Sequence, residues 1–108
     1  MEKFKVIIVE DVLLELKGTE GLLHSEVPEA EIIATANDEE SFWVVFNEQY
    51  PDLVLLDLGL GGSTTVGIDI CRRLKEEHPD VKVLIFTGEI LNERLWVDAL
   101  DAKCDGII

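Results

Sequence analysis

Four short apolar runs alternate along the chain with segments whose apolar residues recur at helical spacing. The runs are Lys5–Val9, Glu31–Ala36, Leu53–Leu56 and Val81–Phe86. The first and third are almost uninterrupted, which is typical of strands buried on both faces of a sheet. The alternation predicts an α/β fold, in which a parallel sheet carries right-handed crossover helices on both faces.

Each intervening segment has features of a helix. The pair Val27-Pro28 should end the first helix, and Asn37 or Asp38 is placed to cap the second. The fourth helix should run from about Leu91 to Leu100. Residues expected at helical spacing or facing inward are, in chain order, Leu14, Gly18, Leu22 and Leu23; Phe42, Val45 and Phe46; Gly67, Ile70, Cys71 and Leu74; and Leu95 and Ala99.

Length and composition fit one globular domain without a linker or an internal repeat. The chain has 108 residues, of which 47% are hydrophobic, and no apolar run approaches the length of a membrane span. Its net charge of −14 should repel nucleic acid and attract cations or basic protein faces. Cys71 and Cys104 lack metal-ligand spacing, so we expect reduced thiols in a cytoplasmic protein.

The last residues, Cys104–Ile108, resemble the start of a fifth strand. A doubly wound sheet needs its last strand paired and a last helix over one face. We therefore expect either a domain over residues 1–108 that is truncated at its C-terminus, or another element over that edge. An uncovered edge would also favour pairing between two copies, so a homodimer is one expectation.

Polar side chains follow three of the strands directly. Glu10 and Asp11 follow the first strand, Asp57 the third and Thr87 the fourth. Because ligands bind at the carboxyl ends of the strands in open α/β sheets, we expect these groups to gather at one edge. Crowded carboxylates need a hard cation, and Mg²⁺ binds through one or two carboxylates together with phosphate.

Other interpretations of these residues fit less well. A single Asp after a strand is usually a cap or turn residue. The glycines from Gly59 to Gly62 are not followed by the Lys of a phosphate-binding loop. A phosphatase with an aspartate nucleophile would have a second Asp at position 59, and a flavodoxin-like nucleotide site would have hydroxyls in place of Glu10 and Asp11.

The motifs together resemble the receiver domain of bacterial two-component response regulators, over essentially the whole chain. They are Val6–Asp11, Pro51–Leu58, Val83–Gly88 and Asp105-Gly106. The resemblance implies a doubly wound, flavodoxin-like five-stranded parallel sheet of order 2-1-3-4-5. It also implies a signalling phosphoacceptor that is not an enzyme, beyond self-phosphorylation and autodephosphorylation.

The resemblance also implies roles for individual residues. Asp57 matches the phosphoacceptor, Asp11 the direct Mg²⁺ ligand, Glu10 the acid that acts through water, and the Gly59 carbonyl a further ligand. The remaining matches are Thr87 as the switch hydroxyl, Gly67 as the glycine that opens the third helix, and Gly59 and Glu89 as positions that tune phosphoryl lifetime.

The sequence departs from the family pattern in three places. Leu60-Gly61 stands where the family usually has a Leu-Pro pair. The Lys that ends the fifth strand would fall just beyond Ile108, and the aromatic switch position falls near Ile107. These departures put the coupling from phosphorylation to an output face in doubt.

The function implied by the resemblance is phosphoryl transfer to Asp57 in a Mg²⁺-dependent reaction. The donor would be a sensor histidine kinase or a phosphotransfer protein, and the product would shift the population of an exposed face. The alternative is an interaction or dimerisation module that keeps the fold without being phosphorylated. The intact set Glu10, Asp11, Asp57 and Thr87 favours the first function, whereas the missing Lys favours the second.

Overall fold

A computed structural model describes residues 2–60, 65–86 and 93–107, without the side chains of Glu93, Leu95 and Trp96. Its five strands form one parallel sheet of order β2-β1-β3-β4-β5, which confirms the predicted order. The strands are β1 (Phe4–Val9), β2 (Ala30–Ala36), β3 (Leu53–Asp57), β4 (Lys82–Phe86) and β5 (Gly106–Ile107). The helices are α1 (Leu13–Glu26), α2 (Glu39–Glu48), α3 (Val66–Glu77) and α4 (Glu93–Asp101).

The central strands β1 and β3 are buried on both faces, as their apolar sequences predict. On one face, Ile7 and Val9 of β1 join a large core that also takes in side chains from α2, α3 and α4. The predicted stripes of α2 and α3 lie in this core, with Phe42, Phe46 and the four α3 positions buried and Val45 partly buried. Ala99 of α4 is buried there as well, whereas the side chain of Leu95 lies outside the described part.

The opposite face of the sheet carries a smaller core. Val6, Ile8 and Leu55 form its centre, and α1 contributes Leu16 and Leu23. A groove of about 420 Å³ lies beside α1, and its lining is almost entirely apolar. Among the described elements, α1 is the helix that packs on this face.

The helical spacing around α1 did not identify its buried side. Leu14 is 82% exposed and Leu22 is 63% exposed, although both share the predicted stripe with the packed Leu23. The apolar residues of α1 are spread around the helix, so their spacing fits more than one face. The end of α1 is as predicted, with Val27 at the C-cap.

Helix α2 begins at a capping box formed by Asp38 and Ser41. The Asp38 side chain accepts from the Ser41 backbone N–H at 2.8 Å, and the Asp38 N–H donates to the Ser41 hydroxyl at 3.3 Å. This reciprocal pair satisfies two amides that a helix start would otherwise leave unpaired. It identifies Asp38 as the capping residue, which the sequence had left open between two positions.

The element ends agree with the sequence to within one or two residues where they can be compared. Strand β4 starts at Lys82, one residue later than predicted, and residues 91–92 before α4 lie outside the described part. Cys71 and Cys104 are free thiols, the first buried and the second partly buried. No helix in the described ranges combines the length and apolar character needed to cross a bilayer.

Candidate metal centre at the strand ends

The sheet fixes the main chain on which two acidic side chains are carried. Beyond the end of β1, the Glu10 N–H still donates to the Ala36 carbonyl at 2.9 Å. Beyond the end of β3, the Leu58 N–H donates to the Phe86 carbonyl at 2.9 Å. The main chain at Glu10 and just after Asp57 is therefore hydrogen-bonded to the neighbouring strand, which holds both acidic residues at this edge of the sheet.

Three carboxylates meet at this edge, as predicted. Oxygen atoms of Glu10, Asp11 and Asp57 all lie within 4.8 Å of one another. Glu10 is 1% exposed and Asp57 is 6% exposed, whereas Asp11 lies at the surface. The cluster thus has two buried acids at its base and one acid at its mouth.

The hydrogen bonds within the cluster leave one acceptor without a donor. Oε1 of Glu10 accepts from the Val12 N–H at 2.9 Å, and Oδ1 of Asp57 accepts from the Gly59 N–H at 3.1 Å. Oε2 of Glu10 is buried and has no hydrogen-bond partner within the described residues. A buried carboxylate oxygen in that position is costly unless a proton or a cation satisfies it.

Burial raises the pKa of both inner acids. It raises the pKa of Glu10 to about 8, an effect that the N–H of Val12 opposes and the neighbouring Asp57 carboxylate increases. Burial also raises the pKa of Asp57, while the hydrogen bond from the Gly59 N–H opposes that rise. Without a cation, this edge of the sheet therefore favours retention of a proton near neutral pH.

A hard divalent cation fits this donor set. Among the described residues the site offers three carboxylates, the two buried acids repel each other, and Oε2 of Glu10 has no donor. Mg²⁺ and similar ions prefer oxygen ligands and keep several bound waters. Because Asp11 lies at the surface, the mouth of the site has room for those waters. Gly59 lies at the edge of the cluster, where its backbone hydrogen bond ties it to Asp57.

Two residues singled out from the sequence cannot be placed. Thr87 and Glu89 lie outside the described residues, so their expected roles stay predictions.

One contact of the site could not be predicted from residue types. The backbone N–H of Val12 donates to the Glu10 carboxylate at 2.9 Å. A main-chain donor leaves no trace in residue identity, so only a three-dimensional structure could find it.

Gly67 packs against the main chain that carries Asp57. A methyl group built at its Cα would lie 2.9 Å from the Asp57 carbonyl oxygen and 3.3 Å from the Leu58 Cα. Real Cβ atoms do not approach that closely, so a glycine is required for the observed contact. The first turn of α3 is therefore in direct backbone contact with the end of β3.

Comparison with known proteins gives a consistent result. The sequence model of the response regulator receiver domain matches residues 6–108. The transcriptional regulatory protein DegU of Brevibacillus brevis is 31% identical over 85 residues, which cover 79% of this chain and 35% of that protein. The nitrate/nitrite response regulator protein NarP of Escherichia coli K12 is 30% identical over 105 residues, or 97% of this chain and 47% of that protein.

A solved structure shows the same fold. The isolated receiver domain of RcsB from Salmonella enterica serovar Typhimurium, determined with a phosphomimetic, superposes with a TM-score of 0.87 at 19% identity. The match covers 99% of this chain and 77% of that one. This chain spans less than half the length of the two curated relatives. Because the family model covers nearly all of it, the chain belongs to the response regulator receiver domain family.

Proposed function

We propose that Asp57 is the phosphoacceptor of a two-component phosphorelay and that Mg²⁺ is bound beside it. The observation that carries this proposal is the cluster of Glu10, Asp11 and Asp57 within 4.8 Å, in which one buried Glu10 oxygen has no donor among the described residues. A purely structural pair of buried acids would be destabilising here, because Oε2 of Glu10 has no donor among the described residues. A site that binds a cation and then a phosphoryl group accounts for its persistence.

In the proposed reaction an oxygen of Asp57 attacks the phosphorus of a phosphohistidine on a sensor kinase or phosphotransfer protein. A P–O bond forms, the P–N bond breaks, and the released imidazole takes a proton from solvent. Mg²⁺, when bound, supplies positive charge that offsets the charge developing on the phosphoryl oxygens. The product is an aspartyl phosphate, which water later hydrolyses.

The residues of the chain divide the remaining tasks. Glu10, Asp11, Asp57 and the Gly59 carbonyl would hold the cation, and the Gly59 N–H orients one oxygen of Asp57 through its 3.1 Å hydrogen bond. Thr87 is proposed as the switch hydroxyl toward the phosphoryl group, and Glu89 as a residue that tunes its lifetime. The role is that of a signalling acceptor whose partners include the kinase and a second copy of the chain.

The test is incubation with acetyl phosphate and Mg²⁺, followed by intact-mass measurement. We expect one phosphoryl adduct on the wild type, none on Asp57→Asn, and none when the metal is chelated. Asp69→Asn is the matched control, because that carboxylate is exposed on α3 and, within the described part of the chain, pairs with Arg72 at 3.4 Å. It should be modified like the wild type.

Two results would contradict the proposal. An adduct that survives in Asp57→Asn would place the modification elsewhere. A wild-type protein that remains unmodified with metal and donor in excess would favour the alternative, a receiver fold used as an interaction or dimerisation module.

A further inference from the structure

We infer that Gly67 is a positioning residue for Asp57, an inference that rests on the proposed function. The reason lies in the contact between two backbones. A Cβ at position 67 would lie 2.9 Å from the Asp57 carbonyl oxygen, 3.3 Å from the Leu58 Cα and 3.4 Å from the Leu58 carbonyl oxygen. All three atoms belong to the main chain, so none of them can turn aside as the end of a side chain can.

The contacted segment carries several parts of the site at once. Asp57 supplies the acceptor carboxylate, and its Oδ1 accepts from the Gly59 N–H at 3.1 Å. Between them, the Leu58 N–H donates to Phe86 at 2.9 Å and so ties this segment to the end of β4. A shift at residues 57 and 58 would therefore move the acceptor, the Gly59 carbonyl and the strand end that leads to Thr87.

Helix α3 is held firmly on its other side, so it cannot simply move away. Ile70, Cys71 and Leu74 are fully buried in the larger core. The Lys75 ammonium near its C-terminus lies 2.8 Å from Asp105 and 2.9 Å from the Val81 carbonyl. A methyl at position 67 would therefore press on the end of β3 rather than displace the whole helix without cost.

The expected loss of phosphorylation rate in Gly67→Ala follows from the overlap between the added methyl group and the Asp57 carbonyl oxygen. Relief from 2.9 Å to the 3.4 Å of an ordinary contact requires a shift of about half an ångström. Misplacement by 1 Å can reduce a rate about 100-fold, so half that distance should reduce it about tenfold. Metal affinity should fall as well, because two of the proposed ligands lie on the displaced segment.

The test compares Gly67→Ala with two matched variants of the same chain. Gly18→Ala makes the same chemical change in α1, where an added Cβ would meet nothing within 4 Å. Ile70→Val removes a buried methylene from the core side of α3 and adds no atom, so it reports the effect of a general loss of stability. Each variant is measured under conditions in which urea titration shows it to be folded.

Two measurements are made on each variant. The first is the initial rate of Mg²⁺-dependent modification by acetyl phosphate. The second is Mn²⁺ affinity, from the electron paramagnetic resonance signal of the free ion. We expect Gly67→Ala to lose about tenfold in rate and to bind Mn²⁺ more weakly. Gly18→Ala should behave as the wild type, and Ile70→Val should lose stability while keeping both properties.

The inference is overturned if Gly67→Ala matches Ile70→Val in rate and in Mn²⁺ affinity. Failure of the proposed function gives a different result. The wild type would then take up no phosphoryl group, but Gly67→Ala would still bind Mn²⁺ more weakly than Gly18→Ala and Ile70→Val. Should Gly67→Ala unfold, the double variant Gly18→Ala/Gly67→Ala is used, because alanine in the exposed helix stabilises α1. A double variant that also fails to fold would make Gly67 a residue of the fold alone and reject the positioning role.

Discussion

At the residue scale, the site depends on what burial does to two carboxyl groups. The sequence was sufficient to predict that Glu10, Asp11 and Asp57 meet, because the carboxyl ends of neighbouring parallel strands lie at one edge. It could not predict that Oε2 of Glu10 has no donor among the residues that the structure describes, or that burial raises the pKa of Glu10 to about 8. Both depend on the depth of the side chain and on the orientation of nearby amides.

The raised pKa of Glu10 predicts a stability that falls with increasing pH. The folded protein keeps this proton up to about pH 8, whereas the unfolded chain releases it near the ordinary value of 4.5. In that window the unfolded state binds fewer protons, so the free energy of unfolding decreases as the pH rises. Urea titrations across the window, in the presence of a chelator, should show this decrease.

The variant Glu10→Gln isolates the contribution of this residue. Glutamine stays neutral and has nearly the same shape, so the decrease with pH should become shallower. Mg²⁺ should bind the wild type more tightly toward pH 8, because the metal displaces the proton of Glu10. Equal pH slopes for wild type and variant would show that Glu10 titrates at its ordinary pKa.

At the scale of elements, the sequence predicted the buried side of a helix correctly where the apolar residues of that helix lie on one side and pack on the core. The stripes of α2 and α3 were identified correctly because each helix has one apolar side and packs it on the larger core. The buried side of α1 was not identified, and Leu14 and Leu22 are exposed. Periodicity shows which residues share a side of a helix, but it does not show which sides have a neighbour.

The end of α4 provides a prediction about backbone conformation. Lys103 has a φ of 63°, in the left-handed region, just after the helix ends at Asp101. A side chain costs about 1–2 kcal/mol there and glycine does not, so Lys103→Gly should raise the free energy of unfolding by about 0.5–1 kcal/mol. The gain is smaller than the cost of the side chain, because glycine also gives the unfolded chain more conformational freedom. Chemical denaturation measures the change.

Lys103→Ala controls for the lost charge in that experiment. It removes the same ammonium group but keeps a Cβ at the positive φ, so it should not gain the stability that glycine provides. If alanine stabilised the protein as much as glycine does, charge rather than backbone conformation would explain the gain.

At the scale of the whole molecule, the high negative charge of the chain opposes folding. It carries a net charge of −14 over 108 residues, and its ion pairs in the described regions are mostly exposed pairs within single helices. Such pairs contribute little, so most of the excess negative charge is not compensated locally. Self-repulsion of this kind destabilises the compact state and is weakened by salt.

Salt therefore separates this general repulsion from the specific site. Sodium chloride should raise the midpoint of thermal unfolding of the wild type by screening alone. Magnesium chloride at equal ionic strength should raise it further, because an ion that binds only the folded state adds about 2.7 kcal/mol at 100 times its dissociation constant. In Asp57→Asn the sodium effect should persist and the extra effect of magnesium should shrink. Equal shifts from the two salts in the wild type would mean that the three carboxylates bind no Mg²⁺ specifically.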